Sequence, residues 1–524
     1  MSGMDNIGRK ISAFIVAFRN TITALINHPD MEPIIEKSFL NKPRDDGIIS
    51  DFMDGDVYKS SPYAGKRVIR LFGYQDAFEV CVPIGAAKLL HKMIGWYYCI
   101  ANLPPYLRMK LDMIQLAMLV KSTDWKIPGV RKRCWDALIN QLKELEVDGV
   151  EFKGEKIPVI LDCFMGDNEG CHHIGGYVEG FSATHNCRYC DVSEAEILQD
   201  PTLFRDFRTP EEYDRAAALM AMEEPGSRKK HHEGVSGQSR LNELLYFHVS
   251  NAGLCPCLHH DYCEGLGQYD MVLIIKSLIL LGWFTIKELN GMLLKFKCKA
   301  PDSGDRPAGG FTENTSRLKG NAVQNRNFIR FFPLIIQGKI KDEKCQPWQM
   351  YLKLKALLEF VTAPELAVDQ VYFMQVLTED YISMRINLYP HIPLRRKHHY
   401  ALHYGQFVLK RGPVVRYHTL KCESKHGTFK KKARASKNYI NPTLNLANHH
   451  QMNFAYMLTG PLQPEFEVSK SQPLKIETFI KPVEDLLTPL NFSKDAEELK
   501  FVKIQNIQYK PSQYLILNGT GQTY

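Results

Sequence analysis

The chain has 524 residues, a formal net charge of +8 and a hydrophobic content of 44%, which is ordinary for a folded protein. This length allows two or three domains with substantial cores. The longest apolar stretch, residues 271–284, is interrupted by Lys276 and is too short to cross a bilayer, and Arg19 ends an early apolar run that could otherwise suggest a secretion signal. Thirteen cysteines without regular spacing do not suggest a disulfide scaffold, so we expect reduced thiols in an intracellular protein with no membrane attachment.

Hydrophobic periodicity divides the chain into predicted elements. Apolar residues on one face predict a helix within residues 7–40. Residues 68–74 and 157–165, rich in β-branched and aromatic side chains, predict two buried strands. A long, mostly helical block follows, and residues 424–439 are predicted as a basic helix that ends before Asn441-Pro442. This order predicts an α/β core that is split by a helical insertion.

Two carboxylates come at the predicted strand ends. Asp76 closes the first strand, and Asp167 follows the second within Gly166-Asp-Asn. Side chains at the ends of neighbouring core strands converge on one rim, where two carboxylates repel each other unless a divalent cation bridges them. Glu79 is an alternative first acid, and a plain turn residue is the competing interpretation of Asp167.

A zinc site is predicted from cysteine and histidine spacing. Cys187 and Cys190 form a CxxC pair, and two thiolates at this spacing can share one zinc ion. His403, together with His399 or His398, would supply the other two ligands from about 210 residues further along the chain. Such a site would join the inserted block to the core, whereas the competing interpretation is a buried thiol pair and an unrelated histidine cluster.

A second group of metal-ligand types lies within residues 255–264. Its spacing fits no zinc pattern that would justify a site, so it could form its own metal site, contribute to the site of Cys187 and Cys190, or simply be a tight turn before a helix. The residues concerned are Cys255, Cys257, His259, His260 and Cys263.

Residues 392–437 are strongly basic. They contain thirteen Lys or Arg residues and a single acid, Glu423, for a net charge of +12. Such a field suits a polyanion, and a carboxylate within it would repel phosphate unless a metal ion lay between them. The predicted DNA contacts in this segment are Arg395, Arg396, Lys397, Lys425, Lys430, Lys431, Lys432 and Arg434. The competing interpretation is a solvated basic surface.

The order acid, acid, CxxC, helical block, histidine pair and final Glu resembles the catalytic core of DDE/D transposases of the CACTA (EnSpm) group, whose layout is related to Transib transposases and the V(D)J recombinase. Shorter segments are similar to the family's blocks: residues 78–85 (FEVCVPIG), 102–105 (NLPP), Gly166-Asp-Asn with Gly175-Gly176, and Gly412-Pro-Val followed by Cys422-Glu-Ser. The resemblance covers roughly residues 50–460. Val82 replaces an Asn of the family signature, and the register of that motif favours Glu79 over Asp76.

The resemblance implies an RNase H-like (retroviral integrase-like) core that is interrupted by a large, mostly helical insertion. A zinc site would join the insertion to the core, and a small β-containing C-terminal tail would follow. It further implies that Asp76, Asp167 and Glu423 bind two Mg²⁺ or Mn²⁺ ions, and that Cys187, Cys190, His399 and His403 bind zinc. The expected activity is metal-dependent DNA strand cleavage and strand transfer, in the nucleus, by a homodimer or larger assembly on DNA. The alternative is a catalytically inactive, transposase-derived, zinc-containing DNA-binding protein.

The corresponding regions are an N-terminal helical region (1–60), the first part of the core with the CxxC pair (61–200), the helical insertion (201–395), a segment with the histidine pair, the last acid and the basic helix (396–460), and the tail (461–524). No separate DNA-binding module is recognised before the core, so we expect a truncated or domesticated copy.

Overall fold

The structure is a computed structural model that describes residues 2–4, 10–80, 91–180, 183–224, 229–299, 302–437, 441–462, 467–468, 471–473, 497–504 and 507–509. It is a mixed α/β protein with one larger mixed sheet and a large helical portion. No described helix is both long enough and apolar enough to cross a membrane.

The strands are β1 (Ser2–Met4), β2 (Lys10–Ile15), β3 (Ile48–Ile49), β4 (Ile69–Glu79), β5 (Lys92–Ile100), β6 (Gln115–Lys121), β7 (Val150–Phe152), β8 (Glu155–Ile157), β9 (Val159–Met165), β10 (Leu366–Ala367), β11 (Glu467–Val468), β12 (Ser471–Pro473), β13 (Glu497–Leu499), β14 (Val502–Ile504) and β15 (Ile507–Tyr509). Strands β11 to β15 form two small sheets in the C-terminal tail.

The helices are α1 (Phe18–Ile26), α2 (Glu32–Leu40), α3 (Asp56–Lys59), α4 (Pro105–Arg108), α5 (Ser122–Trp125), α6 (Pro128–Asp148), α7 (Asn168–Ile174), α8 (Glu194–Gln199), α9 (Pro210–Ala221), α10 (Gly267–Leu280), α11 (Ile286–Lys295), α12 (Ala322–Ile335), α13 (Gln346–Thr362), α14 (Val368–Leu388), α15 (Arg396–Leu402), α16 (Tyr404–Arg411), α17 (Leu420–Ser436) and α18 (Pro442–Met457). A π-helix, His259–Leu266, leads directly into α10.

The larger sheet has the order β1-β2-β6-β5-β4-β9. Strands β4, β5 and β6 are antiparallel neighbours, and β9 pairs with β4 in parallel. Beyond β9, Phe164 makes a parallel bridge to Leu254, with hydrogen bonds to both Gly253 and Cys255. The chain therefore returns to the edge of the sheet from within the region predicted as the insertion.

Strand β4 separates two hydrophobic cores, because successive side chains of a strand point to opposite faces. Phe72, Tyr74 and Phe78 face the core formed with the helices after residue 259, including α17. Ile69 and Leu71 face the core formed with α1 and α6. This alternation decides which acidic side chains of β4 can meet α17.

The predicted strands over 68–74 and 157–165 are confirmed, although β4 continues to Glu79, so Asp76 lies inside the strand and not at its end. The basic helix is also confirmed, as α17. The single helix predicted within residues 7–40 is wrong at its start. Residues 10–15 form β2 and pair with β6, since an available sheet edge outweighs weak local periodicity.

Asp162 on β9 ties the sheet to the helical portion. Its carboxylate accepts hydrogen bonds from Arg70 on β4 and from Arg411 on α16, each at 2.7 Å, and all three side chains are buried. Two buried guanidinium groups thus share one buried carboxylate.

We expect Asp162→Asn to lower the free energy of unfolding by about 3 to 5 kcal/mol, because it leaves two buried cations without their shared counter-charge. Urea unfolding followed by circular dichroism measures this loss. The matched control is Asp136→Asn, whose pairs with Lys132 and Arg240 lie near the surface and which should cost less than about 1 kcal/mol. Equal losses in the two variants would contradict the interpretation.

Candidate functional site

Four buried side chains form a compact cluster of metal-ligand atoms. Cys187, Cys190, His399 and His403 each offer one ligand atom, and the four atoms all lie within 4.8 Å of one another. The Sγ of Cys187 is 3.6 Å from Nε2 of His403, the Sγ of Cys190 is 3.3 Å from Nε2 of His399, and the two Nε2 atoms are 3.3 Å apart.

The backbone explains how these residues meet. The two cysteines lie in the loop between α7 and α8. His399 lies on α15 and His403 is the residue that joins α15 to α16, four positions later, so the two rings project to the same side of the helix. The cluster therefore connects a loop that follows the sheet to the segment that follows the helical block.

The cluster fits zinc. In a tetrahedral site with ordinary Zn–S and Zn–N bond lengths, sulfur and nitrogen are about 3.5 Å apart and two nitrogens are about 3.3 Å apart. The observed separations match these values. The donor set of two thiols and two imidazoles is one that structural zinc sites use, and burial of all four ligands suits a closed site.

The alternative ligand His398 lies elsewhere. Its Nε2 is 2.9 Å from Oδ2 of Asp270. The same oxygen accepts a hydrogen bond from Tyr381, and Oδ1 of Asp270 accepts one from Arg385. All four side chains are buried. His398 therefore joins α15 to α10 and α14, and the ring of the next residue, His399, is the one that faces the cysteines.

A buried hydrogen-bond chain links the cluster to the second acid. Arg188, between the two cysteines, donates to Oδ1 of Asn168 at 2.7 Å. Asn168 donates to Oδ1 of Asp261 at 2.7 Å, and Tyr404, next to His403, donates to Oδ2 of Asp261 at 3.0 Å. Because Asn168 directly follows Asp167, the geometry around that acid depends on the same network as the cysteine loop.

The three predicted acids lie on three separate elements, and they are not among the described side chains whose ligand atoms cluster within 4.8 Å of one another. Asp76 is on β4, Asp167 caps the N-terminus of α7 through a 2.6 Å bond from the Gly170 N–H, and Glu423 is on the first turn of α17. Burial raises the pKa of Asp76 to about 6, and the charges of Asp167 and Glu423 raise it as well. Burial is thus the main cause, and repulsion from the two other carboxylates adds to it.

Glu79 is separated from this group by the alternation of the strand. It lies three positions beyond Asp76, so its side chain leaves the opposite face of β4 from the face that meets α17. Residues 81–85 of the segment 78–85, Val82 among them, lie outside the described residues. The strand alternation therefore favours Asp76 as the first acid.

Sequence reasoning missed two side chains that lie next to the Asp76 carboxylate. The Tyr74 hydroxyl donates to Oδ2 of Asp76 at 3.0 Å, and Nδ1 of His426 lies 3.7 Å from the same oxygen. The His426 ring stacks on Phe78 at 4.1 Å, and burial lowers its pKa to about 3, so it is neutral. The sequence signal for His426 is its position one helical turn after Glu423, on the same face of α17.

The Cys and His residues of segment 255–264 lie in two different surroundings: Cys257 and His260 are near Glu423, and Cys255 is in the core. Nδ1 of His260 is 3.1 Å from the Sγ of Cys257, which is also 3.2 Å from the Thr419 hydroxyl. Thr419 in turn donates to Oε1 of Glu423 at 2.7 Å. His260 and Glu423 line one cleft of about 320 Å³, while Cys255 packs in the core beside β9. The metal-ligand cluster found in the described part of the chain is the Cys187–His403 group alone.

The predicted DNA contacts differ in their exposure. Arg395, Lys431 and Arg434 are exposed, and Lys430 and Lys432 are half-buried. Arg396 instead pairs with Glu194 at 3.0 Å, and the Lys397 ammonium group donates to the carbonyls of His260 and Glu264.

Lys425 is a correction to the predicted DNA contacts. It is buried, and its Nζ donates to the Leu111 carbonyl at 2.8 Å. Burial lowers the pKa of Lys425 to about 8. It therefore anchors α17 to the segment before β6, and it is not presented to a ligand in solvent.

No protein-family model matches this chain, and a search among curated proteins finds no match either. The function is therefore argued from the geometry of the site itself.

We expect the purified protein to carry about one zinc ion per chain, as a single four-ligand site requires. Cys187→Ser and His403→Ala should each reduce the zinc content to near zero, measured by inductively coupled plasma mass spectrometry. His398→Gln should retain zinc despite some loss of stability, because its partner is Asp270. Cys345→Ser, outside the cluster, is the control. Full zinc content in Cys187→Ser would exclude the proposed ligand set.

We also expect Asp76 to make stability depend on pH. Its pKa is about 6 in the folded protein and 3.8 ordinarily, so the folded state holds this proton more tightly. The free energy of unfolding should therefore fall as pH rises from about 4 to about 6 and stay level above, by about 2 to 3 kcal/mol from this group. Asp76→Asn should remove that part of the fall and be the more stable protein at pH 7.

The measurement is urea unfolding across this pH range in buffer freed of divalent cations. Glu79→Gln, on the other face of β4, is the control and should keep the wild-type profile. The same profile in Asp76→Asn and in the wild type would show that Asp76 carries no such proton.

Proposed function

We propose that the chain is a transposon-derived DNA transposase or recombinase with an RNase H-like core, which cleaves and joins DNA strands with Mg²⁺ or Mn²⁺. The observation that carries the proposal is that the charges of Asp167, at the start of α7, and Glu423, at the start of α17, both act on Asp76 in β4, whose pKa is raised first by burial and then by these charges. Carboxylates held together in this way favour divalent cations with oxygen ligands.

The strand order supports an RNase H-like core. Three antiparallel strands, β4, β5 and β6, are followed along the chain by β9, which lies parallel to β4 on its other side. A further parallel bridge at Leu254 extends the same edge. In such a core the first strand and the end of the fourth carry the first two acids, which are the positions of Asp76 and Asp167.

The position of Glu423 supports the third role. It lies on the first turn of α17, where the helix dipole favours negative charge, and the Thr419 hydroxyl orients one of its oxygens. Beyond it, α17 presents Lys431 and Arg434 to solvent. Basic residues on the same helix can hold the phosphates of a DNA strand whose scissile bond lies at the acids.

Each side chain then has a distinct task. Asp76, Asp167 and Glu423 would hold the cations, which supply charge neutralisation and Lewis acidity for phosphodiester cleavage and transfer. The Tyr74 hydroxyl orients Asp76 through its hydrogen bond, and the neutral His426 ring packs beside the carboxylate. The zinc cluster, through Arg188 and Asn168, fixes the backbone beside Asp167. A nuclear location and a dimer or larger assembly on paired DNA ends belong to the same proposal.

The test is nicking of supercoiled plasmid DNA with Mn²⁺. Asp76→Asn, Asp167→Asn and Glu423→Gln should each reduce the nicking rate by at least about a hundredfold, because each removes a charge needed to hold the cations. Glu79→Gln is the matched control and should nick at nearly the wild-type rate. The combination of higher stability and lost activity in Asp76→Asn would separate a site effect from misfolding.

Absence of nicking in the wild type, with zinc content and salt-dependent DNA binding intact, would favour the alternative of a transposase-derived protein that binds DNA without cutting it. Equal nicking in wild type and Glu423→Gln would point to a contaminating nuclease and remove the support for the three acids.

A further inference from the structure

A cleft of about 530 Å³ lies at the start of β4, away from the three acids. Its walls come from α2, from the start of β4 and from the residues that follow β5 through α4. Arg70 in its lining precedes Asp76 by six positions on β4, a separation of about 20 Å along an extended strand. The cleft is therefore distinct from the acid site, and its volume suits a small ligand.

The cleft is lined by an excess of positive charge. Lys37, Lys66, Arg70 and Arg108 contribute four cations, and Asp51 contributes the one carboxylate. The two arginines are buried and already paired. Arg70 pairs with Asp162, and Arg108 makes a bidentate ion pair with Asp51 at 2.7 and 2.8 Å. They supply a fixed positive field in the floor of the cleft.

The two lysines are exposed and make no ion pair with any described residue. By contrast, the neighbouring Arg67 is paired with Glu36. The floor of the cleft has more buried cations than carboxylates. Asp51 and Asp162 are shared by three arginines, namely Arg70 and Arg108 in the lining and Arg411 behind it. A buried excess of cations is unfavourable unless an anion approaches, so the cleft favours a negatively charged ligand.

The remaining walls are aromatic and apolar. Phe39, Tyr58 and Tyr106 line the cleft together with Pro104 and Pro105. Tyr106 is 42% exposed, so its ring is accessible to a ligand. Tyr58 is buried with the Arg70 guanidinium on its ring, and Arg67 lies over Phe39, so among these three rings Tyr106 is the one that can stack on a nucleobase. The ammonium groups at the rim can contact phosphate.

We propose that this cleft binds a nucleotide, with the base against the aromatic wall and the phosphates against Lys37 and Lys66. The shared chemistry is a nucleobase joined to phosphate, whether it is a free nucleoside triphosphate or one unit of a single strand. The cleft lies away from the three acids, so nucleotide binding can be tested separately from the proposed strand cleavage.

The experiment titrates the full chain with N-methylanthraniloyl-ATP and follows fluorescence anisotropy, with displacement by unlabelled ATP. Saturable, displaceable binding in the micromolar range is expected. The variant Lys37→Gln with Lys66→Gln should bind about ten- to a hundredfold more weakly, since two charge-assisted phosphate contacts are lost. Tyr106→Ala should also weaken binding. All three side chains are exposed, so the fold should tolerate these changes.

The matched control replaces two exposed lysines on and beside α11, as Lys287→Gln with Lys297→Gln, and keeps the same net charge as the test variant. Binding equal to wild type in this control and weaker binding in the test variant would support the proposal. Absence of saturation at millimolar nucleotide, or equal weakening in both double variants, would overturn it. Asp76→Asn should bind the nucleotide as the wild type does, which keeps this result apart from the nicking assay.

Two arms identify the source of the nucleotide. Displacement of the labelled ATP by a short single-stranded oligonucleotide, but not by a duplex, would assign the cleft to an unpaired DNA or RNA unit. Displacement by ATP or GTP alone would assign it to a free nucleotide. Displacement by inorganic phosphate alone, with no preference for a base, would overturn the nucleotide assignment.

Discussion

The constraint on which the functional site depends is the closure of a loop of more than two hundred residues by four side chains. The Cys187 sulfur and the His403 ring meet although 216 positions separate them. Around this contact, Arg188, Asn168, Asp261 and Tyr404 form a buried polar network whose members are satisfied mainly by one another. Such a network is favourable only when complete, because a lone buried charge is costly. It therefore keeps the start of α7 and the start of α16 in a single arrangement.

The three acids differ from this network, because their negative charges repel one another when no cation lies between them. Burial is the main reason that the pKa of Asp76 is raised, and the charges of Asp167 and Glu423 add to it, whereas the hydrogen bond from the Tyr74 hydroxyl lowers it. Sites that are unfavourable when empty and favourable when filled are a common feature of functional centres. The Cys/His cluster and Asp167 are linked through Asn168, the neighbour of Asp167, so the network around the cluster also positions that acid.

Sequence reasoning located the two central strands, the basic helix and the four residues of the Cys/His cluster, because each has a local signature in hydrophobic pattern or ligand spacing. It failed where long-range contacts decide the outcome. Residues 10–15 pair with β6 and become a strand, and Lys425 turns inward to the Leu111 carbonyl although its neighbours on α17 face solvent. The choice between His398 and His399 also depended on Asp270, which lies over a hundred positions away. His426 lies one turn beyond Glu423 and could have been found from the helical period.

The bridge between Phe164 and Leu254 has a consequence for the order of assembly. The edge of the sheet is complete only when residues 253–255 have been synthesised, the cysteine–histidine cluster only after His403, and the acid site only after Glu423. At ordinary rates of synthesis the interval from Cys187 to Glu423 lasts about 10 to 50 seconds. During that time the nascent core has free thiols, unpaired acids and an open sheet edge, and the contacts that close them are highly non-local. The long helical block between Cys187 and His399 therefore postpones the assembly of the Cys/His cluster until α15 and α16 have been synthesised, and Glu423 follows only with α17.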